Sequence, residues 1–317
     1  MKKDFSSVVK IGGGLLAVVL TPGVVHACAC GCGIFDVATS SMIPNGAGIM
    51  SWLQYAYMDQ NQNWRGLEPG SADNNPDKEI QTQFITAGVQ YMFNQSWGAQ
   101  VEIPYDFRYF KGTDNAGNVT SHSWNQLGDI RLEGIYTFAN QSAGVTFGVK
   151  LPTGTYDEDS SANVNNPGGL VDRDTQIGTG STDILLGGYY RGNLTRDGQW
   201  GWFEQSLFDA PALVQADYRP GFELDSAGGI VYKGASLGRA LVLPIGQLIF
   251  SERTHDAGAQ ANSANSGYQR LLISPAVEVH AHPFAVYADI EVPVLQNFKG
   301  NQLSASVLYK FSVSCMF

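Results

Sequence analysis

The sequence predicts an all-β fold, a transmembrane antiparallel β-barrel of about 12 strands with long extracellular loops and short periplasmic turns. Three observations favour this class. Apolar and polar residues alternate along short segments, long and short connections alternate along the chain, and the final segment ends on an aromatic residue. In such a barrel the apolar face of each strand meets lipid and the polar face meets a wet lumen.

The final segment shows the clearest strand pattern, because every second residue is apolar. The apolar set is Leu303, Ala305, Val307, Tyr309, Phe311, Val313, Cys315 and Phe317. The residues between them are mostly small or polar. We expect the apolar set to face lipid, and the strand ending in Phe317 to be what the barrel-assembly machinery recognises.

Eleven further segments share this alternation to varying degrees, and together with the last they give twelve predicted strands. These are residues 49–58, 79–93, 97–110, 127–139, 144–152, 182–192, 200–208, 222–232, 240–252, 268–281, 284–295 and 302–317. Most are close to the roughly 9–11 residues that a tilted strand needs to cross a bilayer. Segments 49–58, 200–208 and 222–232 alternate less cleanly, so their facing stays open.

The connections between these segments alternate in length. Long polar loops fall at 59–78, 111–126, 153–181, 209–221, 253–267 and 296–301, and short turns at 94–96, 140–143, 195–198, 233–239 and 282–283. Outer-membrane barrels have long extracellular loops and short periplasmic turns, and an even strand number puts both termini in the periplasm. We therefore predict a barrel over 49–317 in the outer membrane of a Gram-negative bacterium.

The N-terminal region has the pattern of a secretory signal peptide. Three lysines precede an apolar run over residues 11–20, and a small-residue site ends at Ala27. This run is too short for a stop-transfer helix, although an N-terminal anchor is the alternative reading. We predict a signal peptide over 1–27 and a Cys-containing periplasmic arm over 28–48.

Composition narrows the function classes. The net charge is −10, and residues 1–27 hold three lysines and one aspartate, so the mature chain carries about −12. Such a charge makes nucleic acid an improbable partner. The mean hydropathy is −0.11, and barrels escape hydropathy scans because only alternate residues face lipid. Outer-membrane lipid and a small-molecule solute are the expected partners.

The predicted inner faces carry charges of both signs. They are Glu102, Asp106, Arg108, Asp129, Arg131, Glu133, Lys150, Asp183, Arg191, Glu204, Arg270, Glu278, Asp289, Glu291 and Lys310. One interpretation is a channel lining that selects solutes by charge. The other is a closed interior in which opposite charges pair and fill a narrow barrel.

Four motifs occur in order at predicted loop–strand junctions. They are Gly128-Asp129-Ile130, the run from Gly148 to Gly154, the run from Gly178 to Asp183, and Tyr218-Arg219-Pro220-Gly221. Over about residues 80–317 the chain resembles the outer-membrane transporter family labelled "MetA-pathway of phenol degradation". This resemblance implies a barrel and the passage of small molecules, aromatic or hydrophobic ones among them. The glycines and proline of these motifs suit strand ends and tight bends.

Three cysteines lie close together at the predicted start of the mature chain, as Cys28, Cys30 and Cys32. Three interpretations stay open: lipidation of Cys28, a soft-metal site for Cu(I) or Zn(II), or a disulfide or tether. No other cofactor is predicted. Cys315 is expected to face lipid as an apolar side chain. The acidic loops at 73–79 and 157–159, with Asp172 and Asp174, could hold Ca²⁺, but a solvated surface is the preferred interpretation.

No catalytic residue is predicted. A lipid hydrolase would need a serine and a histidine within hydrogen-bond reach, and Ser274 lies roughly 20 Å from His280 along one strand. His280 could instead meet Ser304 or Ser306 on a neighbouring strand, yet it is expected to face the lumen. Three hypotheses result: a channel for small molecules first, a structural or accessory barrel with a Cys-rich arm second, and a lipid hydrolase third.

Overall fold

The computed structural model describes residues 43–44, 46–113, 117–160 and 169–317. The predicted signal peptide and most of the predicted arm, including Cys28, Cys30 and Cys32, lie outside them. The strands are β1 Gly48–Gly66, β2 Glu68–Pro69, β3 Asp77–Met92, β4 Trp97–Thr113, β5 Val119–Leu127, β6 Ile130–Thr137, β7 Ala143–Leu151, β8 Asp159–Ser160, β9 Gly169–Leu170, β10 Ser181–Asn193, β11 Trp200–Val214, β12 Glu223–Tyr232, β13 Ala235–Leu237, β14 Ala240–Arg253, β15 Tyr268–Ala281 and β16 Phe284–Met316. A 3-10 turn spans Ala72–Asn74.

The strands close into an antiparallel barrel. Within the described residues, eleven strands form the ring in the order β1, β3, β4, β6, β7, β10, β11, β12, β14, β15 and β16, and β16 pairs with β1 again. β2, β5 and β13 extend this sheet beside β1, β4 and β14, and β8 pairs with β9 separately. Closure leaves no free edge around the ring, which is how a sheet satisfies its backbone groups in lipid.

The last strand crosses the barrel twice. Residues 284–298 pair with β15, and residues 301–316 pair with β1. The two arms run side by side, because the Met316 N–H donates to the Pro283 carbonyl at one end (2.9 Å) and Ser304 Oγ to Gln296 Oε1 near the other (2.5 Å). Gly300, with a φ of +73°, makes the reversal between them. The twelve crossings confirm the predicted strand number.

Several predicted loops are shorter than expected, because strands continue beyond the apolar segments. β1 runs to Gly66, β11 runs to Val214, and β5 occupies most of the predicted loop 111–126. The predicted loop 296–301 is only the reversal within β16. These extensions are rich in polar residues, but backbone pairing with the neighbouring strand does not depend on an apolar outer face.

The facing of two strands differs from the prediction. In β16 a bulge opposite β1 shifts the register between Leu308 and Ala305, so the face exchanges. Tyr309, Phe311 and Val313 point outward as predicted, whereas Leu303 and Ala305 are fully buried on the inner side.

β11 requires a second correction. Phe203 and Gln205 are buried, so Glu204 lies on the outer face and was wrongly assigned to the lumen. This strand was one of those with unclear alternation.

Aromatic side chains form a belt around the end of the barrel that holds the short turns. Trp97 packs on Tyr136 with ring centroids 4.7 Å apart, and Trp200 packs on Tyr232 at 4.9 Å. The start of β1 and the last residue lie at this end, since Phe317 and Ile49 exchange backbone hydrogen bonds. Within the described residues, no helix is long and apolar enough to cross a membrane.

Candidate functional site

The barrel interior is the candidate site, and the predicted lumen residues other than Glu204 lie on inward-facing positions. Those that are buried are Arg108, Asp129, Glu133, Asp183, Arg270, Glu278, Asp289 and Glu291, and those that are partly buried are Glu102, Arg131, Lys150 and Arg191. Buried charges need partners or hydrogen bonds to persist in a medium of low dielectric. The contacts of these side chains therefore decide how open the interior is.

One cluster is a row of charges across neighbouring strands, in which two adjacent cations lie between carboxylates. The register places Glu102 beside Arg131, Arg131 beside Lys150, and Lys150 beside Asp183. Lys150 Nζ lies 2.5 Å from Asp183 Oδ2 and 2.6 Å from Asp209 Oδ2. Each cation therefore has a carboxylate neighbour, and the row spans the wall with little net charge.

A second cluster lies on the opposite wall, on β15 and β16. Lys310 Nζ is 3.0 Å from Glu291 Oε1, and both side chains are almost fully buried. Asp289 Oδ2 accepts hydrogen bonds from the Tyr287 hydroxyl at 2.7 Å and from Ser274 Oγ at 3.1 Å. These carboxylates are thus held in place by the wall itself.

The histidine considered for hydrolysis has a different partner. His280 Nε2 hydrogen-bonds the Glu278 carboxylate, and Ser274 binds Asp289. Ser304 lies against Gln296 at the far end of the barrel. None of these contacts forms the serine–histidine pair that hydrolysis by this histidine would need.

The motifs that resemble the family meet at one point near the end of the lumen that holds the long loops, which we predict to be the outer end. Asp129 Oδ1 accepts the Gly154 N–H at 3.0 Å, and Asp129 Oδ2 accepts the Thr179 N–H at 2.9 Å and the Thr179 hydroxyl at 2.6 Å. A Cβ on Gly178 would lie 2.2 Å from the Gly154 carbonyl oxygen. We call this contact the outer clasp, since it fastens both ends of the loop after β7 to β6.

The outer clasp carries a plug. Residues 171–177 of the loop are buried in the outer part of the lumen, where Arg108 Nη1 donates to the carbonyl oxygens of Thr175 at 2.6 Å and Gln176 at 3.1 Å. Two loop side chains, Val171 and Ile177, complete an apolar cluster with Ile80, Phe110, Trp124 and Leu303. The predicted loop 153–181 thus folds into the barrel over the part that is described.

The Tyr218–Gly221 motif supports the same plug from the other side. The Tyr218 hydroxyl donates to Asp256 Oδ2 at 2.8 Å, and the Gly221 N–H donates to Asp256 Oδ1 at 2.8 Å. The guanidinium of Arg173 stacks over Tyr218 and Tyr156, 4.7 and 4.2 Å from the ring centroids. Burial, reinforced by Asp256, raises the pKa of Tyr218 well above its ordinary value, so Tyr218 remains a neutral donor.

The other end of the lumen holds the segment that precedes β1. Ile43 is buried against Tyr189, Phe203, Val231, Leu243, Ile245 and Tyr287. Arg191 Nη2 donates to the Pro44 carbonyl at 2.8 Å and to the Gln141 carbonyl at 3.2 Å. Residues 43–44 therefore form a second plug, which we call the periplasmic plug after the predicted orientation of the barrel. This plug was not predicted from the sequence, in which its one signal is the apolar character of Ile43.

Three cavities lie along the lumen between the short-turn end and the outer plug. A cavity of about 410 Å³ occupies the short-turn end, one of about 70 Å³ follows, and one of about 170 Å³ lies beneath the outer plug. Ile43 and Gln90 line both of the first two, and Glu102 lines both of the last two. The cavities therefore follow one another along the lumen.

The acidic loops differ from a simple solvated surface. Asp73 is exposed, whereas Asp77 and Asp174 are buried. Within the part of the chain that the structure describes, no group of three or more histidine, cysteine or acidic side chains is arranged to hold a metal ion. The cysteine cluster lies outside that part, and the soft-metal interpretation stays a prediction. Cys315 is a free, half-buried thiol.

Comparison with known proteins supports the fold and the resemblance. The model of the family described as "Putative MetA-pathway of phenol degradation" matches residues 65–169. No curated protein matches the sequence. The crystal structure of an outer membrane channel from Pseudomonas putida F1 is similar at a TM-score of 0.62 and 10% identity, covering 89% of this chain and all of that one.

A second solved structure is also similar. The β domain of the Bordetella autotransporter BrkA has a TM-score of 0.51 at 10% identity, and the match covers 86% of this chain and 100% of that domain. At such identities the likeness concerns the fold alone. The chain thus has the fold of an outer-membrane β-barrel, and its residues 65–169 match the family that its motifs indicated.

Proposed function

We propose that this barrel is an outer-membrane channel for the passive passage of small molecules, aromatic or hydrophobic ones among them. The observation that carries the proposal is the series of three cavities along the lumen. A solid packed interior would not need linked spaces, whereas a transport path needs them at every level. The first cavity is lined by Met50, Met92, Phe203, Val231 and Leu243, which suits solutes with an apolar body.

Passage requires the two plugs to move. Arg191 binds the periplasmic plug through the Pro44 carbonyl, and Asp129 and Arg108 bind the outer plug. These hydrogen bonds involve loop backbone groups, which can exchange them for water when a segment swings out. The conformation described is therefore the closed state of the channel.

The paired charges set the kind of solute that fits. Glu102, Arg131, Lys150 and Asp183 neutralise one another across the wall, so the lumen offers local dipoles rather than a field of one sign. Solutes of low net charge are favoured by such a lining. In the same proposal the short-turn end faces the periplasm, and the last strand engages the barrel-assembly machinery.

A sealed structural barrel is the second candidate, because the same ion pairs and both plugs fill the interior. Its Cys-rich arm would then bind a soft metal or a partner on the periplasmic side. The two candidates differ in one measurable property, which is whether an aqueous path ever opens through the folded barrel.

The test is single-channel conductance of the refolded mature chain in planar bilayers. We expect brief openings in the wild type and longer ones in Arg191→Ala, which frees the periplasmic plug. Asp197→Asn serves as the control, because Asp197 lies in an exposed turn and binds Thr195 and Gln199. If neither the wild type nor Arg191→Ala conducts, and heat-modifiable migration shows that both barrels are folded, the result would favour the sealed barrel.

A further inference from the structure

A histidine of β5 binds the loop that carries the outer plug, which is residues 171–177. His122 Nε2 lies 2.7 Å from Glu158 Oε1, and each side chain is 29% exposed. The His122 ring also stacks on Trp124, with the ring centroids 5.3 Å apart. The sheet is therefore joined to the loop through a side chain of the kind that ordinarily gains its charge between pH 8 and pH 5.

Glu158 is bonded in turn to both ends of the plug. Its carbonyl accepts the Val171 N–H at 2.8 Å and Gln176 Nε2 at 3.0 Å, and its own N–H donates to Gln176 Oε1 at 3.1 Å. None of these groups changes its charge with pH. Because the plug cannot leave the lumen without either breaking these bonds or moving Glu158, a tighter contact between His122 and Glu158 opposes opening.

Protonation of His122 strengthens that contact. A neutral imidazole can donate one hydrogen bond to the Glu158 carboxylate, whereas an imidazolium donates the same bond and adds an ion pair. The register partner of His122 in β4 is the uncharged Phe110. Since both side chains are partly buried, their attraction is screened less than that of an open surface pair. Acidification across the range in which histidine titrates therefore favours the closed plug.

A second group at the plug responds to pH in the same direction. Asp77, the first residue of β3, is 4% exposed, and its Oδ2 forms no hydrogen bond with the described residues. The Asp172 and Asp174 carboxylates of the plug lie near it, and the Lys78 ammonium donates to backbone carbonyls at the neighbouring 3-10 turn. Burial, reinforced by the two plug carboxylates, raises the pKa of Asp77 well above its ordinary value. The closed plug is therefore favoured while Asp77 is protonated and loses stability as the pH rises.

Both groups lie on the long-loop side of the apolar band. The outward residues that follow Asp77 along β3 are polar as far as Gln83, and the first apolar one is Ile85. The outward residues on either side of His122 are serines. The solution at the long-loop end is therefore the source of their protons.

We infer that the outer plug is a pH-sensitive closure, which protons stabilise at mildly acidic pH and which loosens at neutral pH and above. His122 and Asp77 lie on different strands and face different parts of the loop, yet each favours the closed plug when protonated. Arg108 binds the plug at every pH in this range, because a guanidinium keeps its charge and its acceptors are backbone carbonyls. The effect on solute passage rests on the proposed channel, whereas the closure itself does not.

The test is hydrogen exchange of the plug amides, read by mass spectrometry on the refolded full mature chain with EDTA present to remove bound metal. Protection factors at about pH 5.5 and about pH 7.5 bracket the ordinary titration of histidine, and they divide out the pH dependence of intrinsic exchange. We expect the wild-type plug to be roughly threefold or more better protected at the lower pH, as one partly exposed ion pair predicts.

Two variants separate charge from structure. His122→Gln keeps a side-chain N–H donor for Glu158 but cannot be charged, so its protection should match the wild type at the higher pH and fall roughly threefold below it at the lower pH. Asp77→Asn resembles the protonated side chain, so it should raise protection at the higher pH and change it little at the lower pH. His255→Gln is the matched control, because His255 is an exposed histidine of another long loop. It should follow the wild type at both pH values.

Two results would overturn the inference. One is a wild-type plug that is equally protected at both pH values. The other is a His122→Gln plug whose protection differs from the wild type by the same factor at both, which would leave His122 a purely structural role. Heat-modifiable migration of each variant establishes that the barrel is folded. Exchange reports the opening of the plug whether or not the barrel conducts, so this result and the conductance test can fail separately.

Discussion

Asp129 offers the sharpest test of how the outer plug is held. Its carboxylate is 7% exposed and accepts three hydrogen bonds, one from Gly154 and two from Thr179. Asp129→Asn preserves the size of the side chain but replaces one acceptor oxygen with a donor. Whichever way the amide turns, a backbone N–H of the loop then faces another donor.

The magnitude follows from these contacts. In the better orientation the amide oxygen keeps both bonds to Thr179, and the bond from the Gly154 N–H is lost. A hydrogen bond to a charged group contributes about 1.5–3 kcal/mol, so the free energy of opening the clasp should fall by about that amount. This corresponds to a rise of roughly 10- to 150-fold in the open population. Asp129→Ala removes all three hydrogen bonds, so it should raise the open population further than Asp129→Asn does.

Hydrogen exchange read by mass spectrometry measures this directly. Exchange of the Gly154 and Thr179 amides should accelerate by the stated factor, because local opening controls their protection. Peptides from β15 should exchange as in the wild type. Glu133→Gln is the control, since Glu133 is buried four residues further along the chain and accepts a hydrogen bond from Gln100 on β4. Unchanged exchange at both amides in folded Asp129→Asn would refute the clasp.

Three further outcomes follow from the contacts. Arg191→Lys keeps the charge but loses the planar guanidinium, so channel openings should lengthen less than in Arg191→Ala. Single-channel conductance measures this, and equally long openings in both variants would contradict it. Gly178→Ala places a methyl group against the backbone of Gly154, which should lower stability by about 1–3 kcal/mol in urea titrations monitored by heat-modifiable migration. Leu303→Ala should lower stability by about 2–5 kcal/mol in the same assay because it opens a cavity. Tyr309→Ala, on the outer face, should lower it much less. The reverse order would support the facing predicted from the sequence, in which Leu303 points to lipid.

The strand pattern was predictable because the sheet has a period of two and one face must be apolar. Strands such as β6 and β15, with clean alternation, have the predicted facing throughout. The prediction failed at Leu303 and Ala305, since a bulge is a property of two paired strands and leaves no mark on one of them. It also failed at Glu204, because alternation assigns a charged residue to the lumen, whereas this one lies on the outer face.

The candidate site was predictable in its residues but not in its arrangement. The inward positions of Asp129, Lys150 and Glu291 follow from alternation along single strands. Their partners do not, because Lys150 meets Asp209 across two strand pairings, and Asp129 meets a loop 50 residues away. The motifs at 128–130, 148–154 and 178–183 meet in the outer clasp. That contact gives a physical reason for the motifs, and it is visible only in the folded structure.

By itself, the sequence determined the fold class, the number of crossings and the sign of each inward charge, since these depend on local period and composition. The tertiary structure decided what fills the barrel. The outer clasp and the periplasmic plug are contacts between segments far apart in the chain. Their formation depends on register and ring closure, which fix distances that no local pattern encodes.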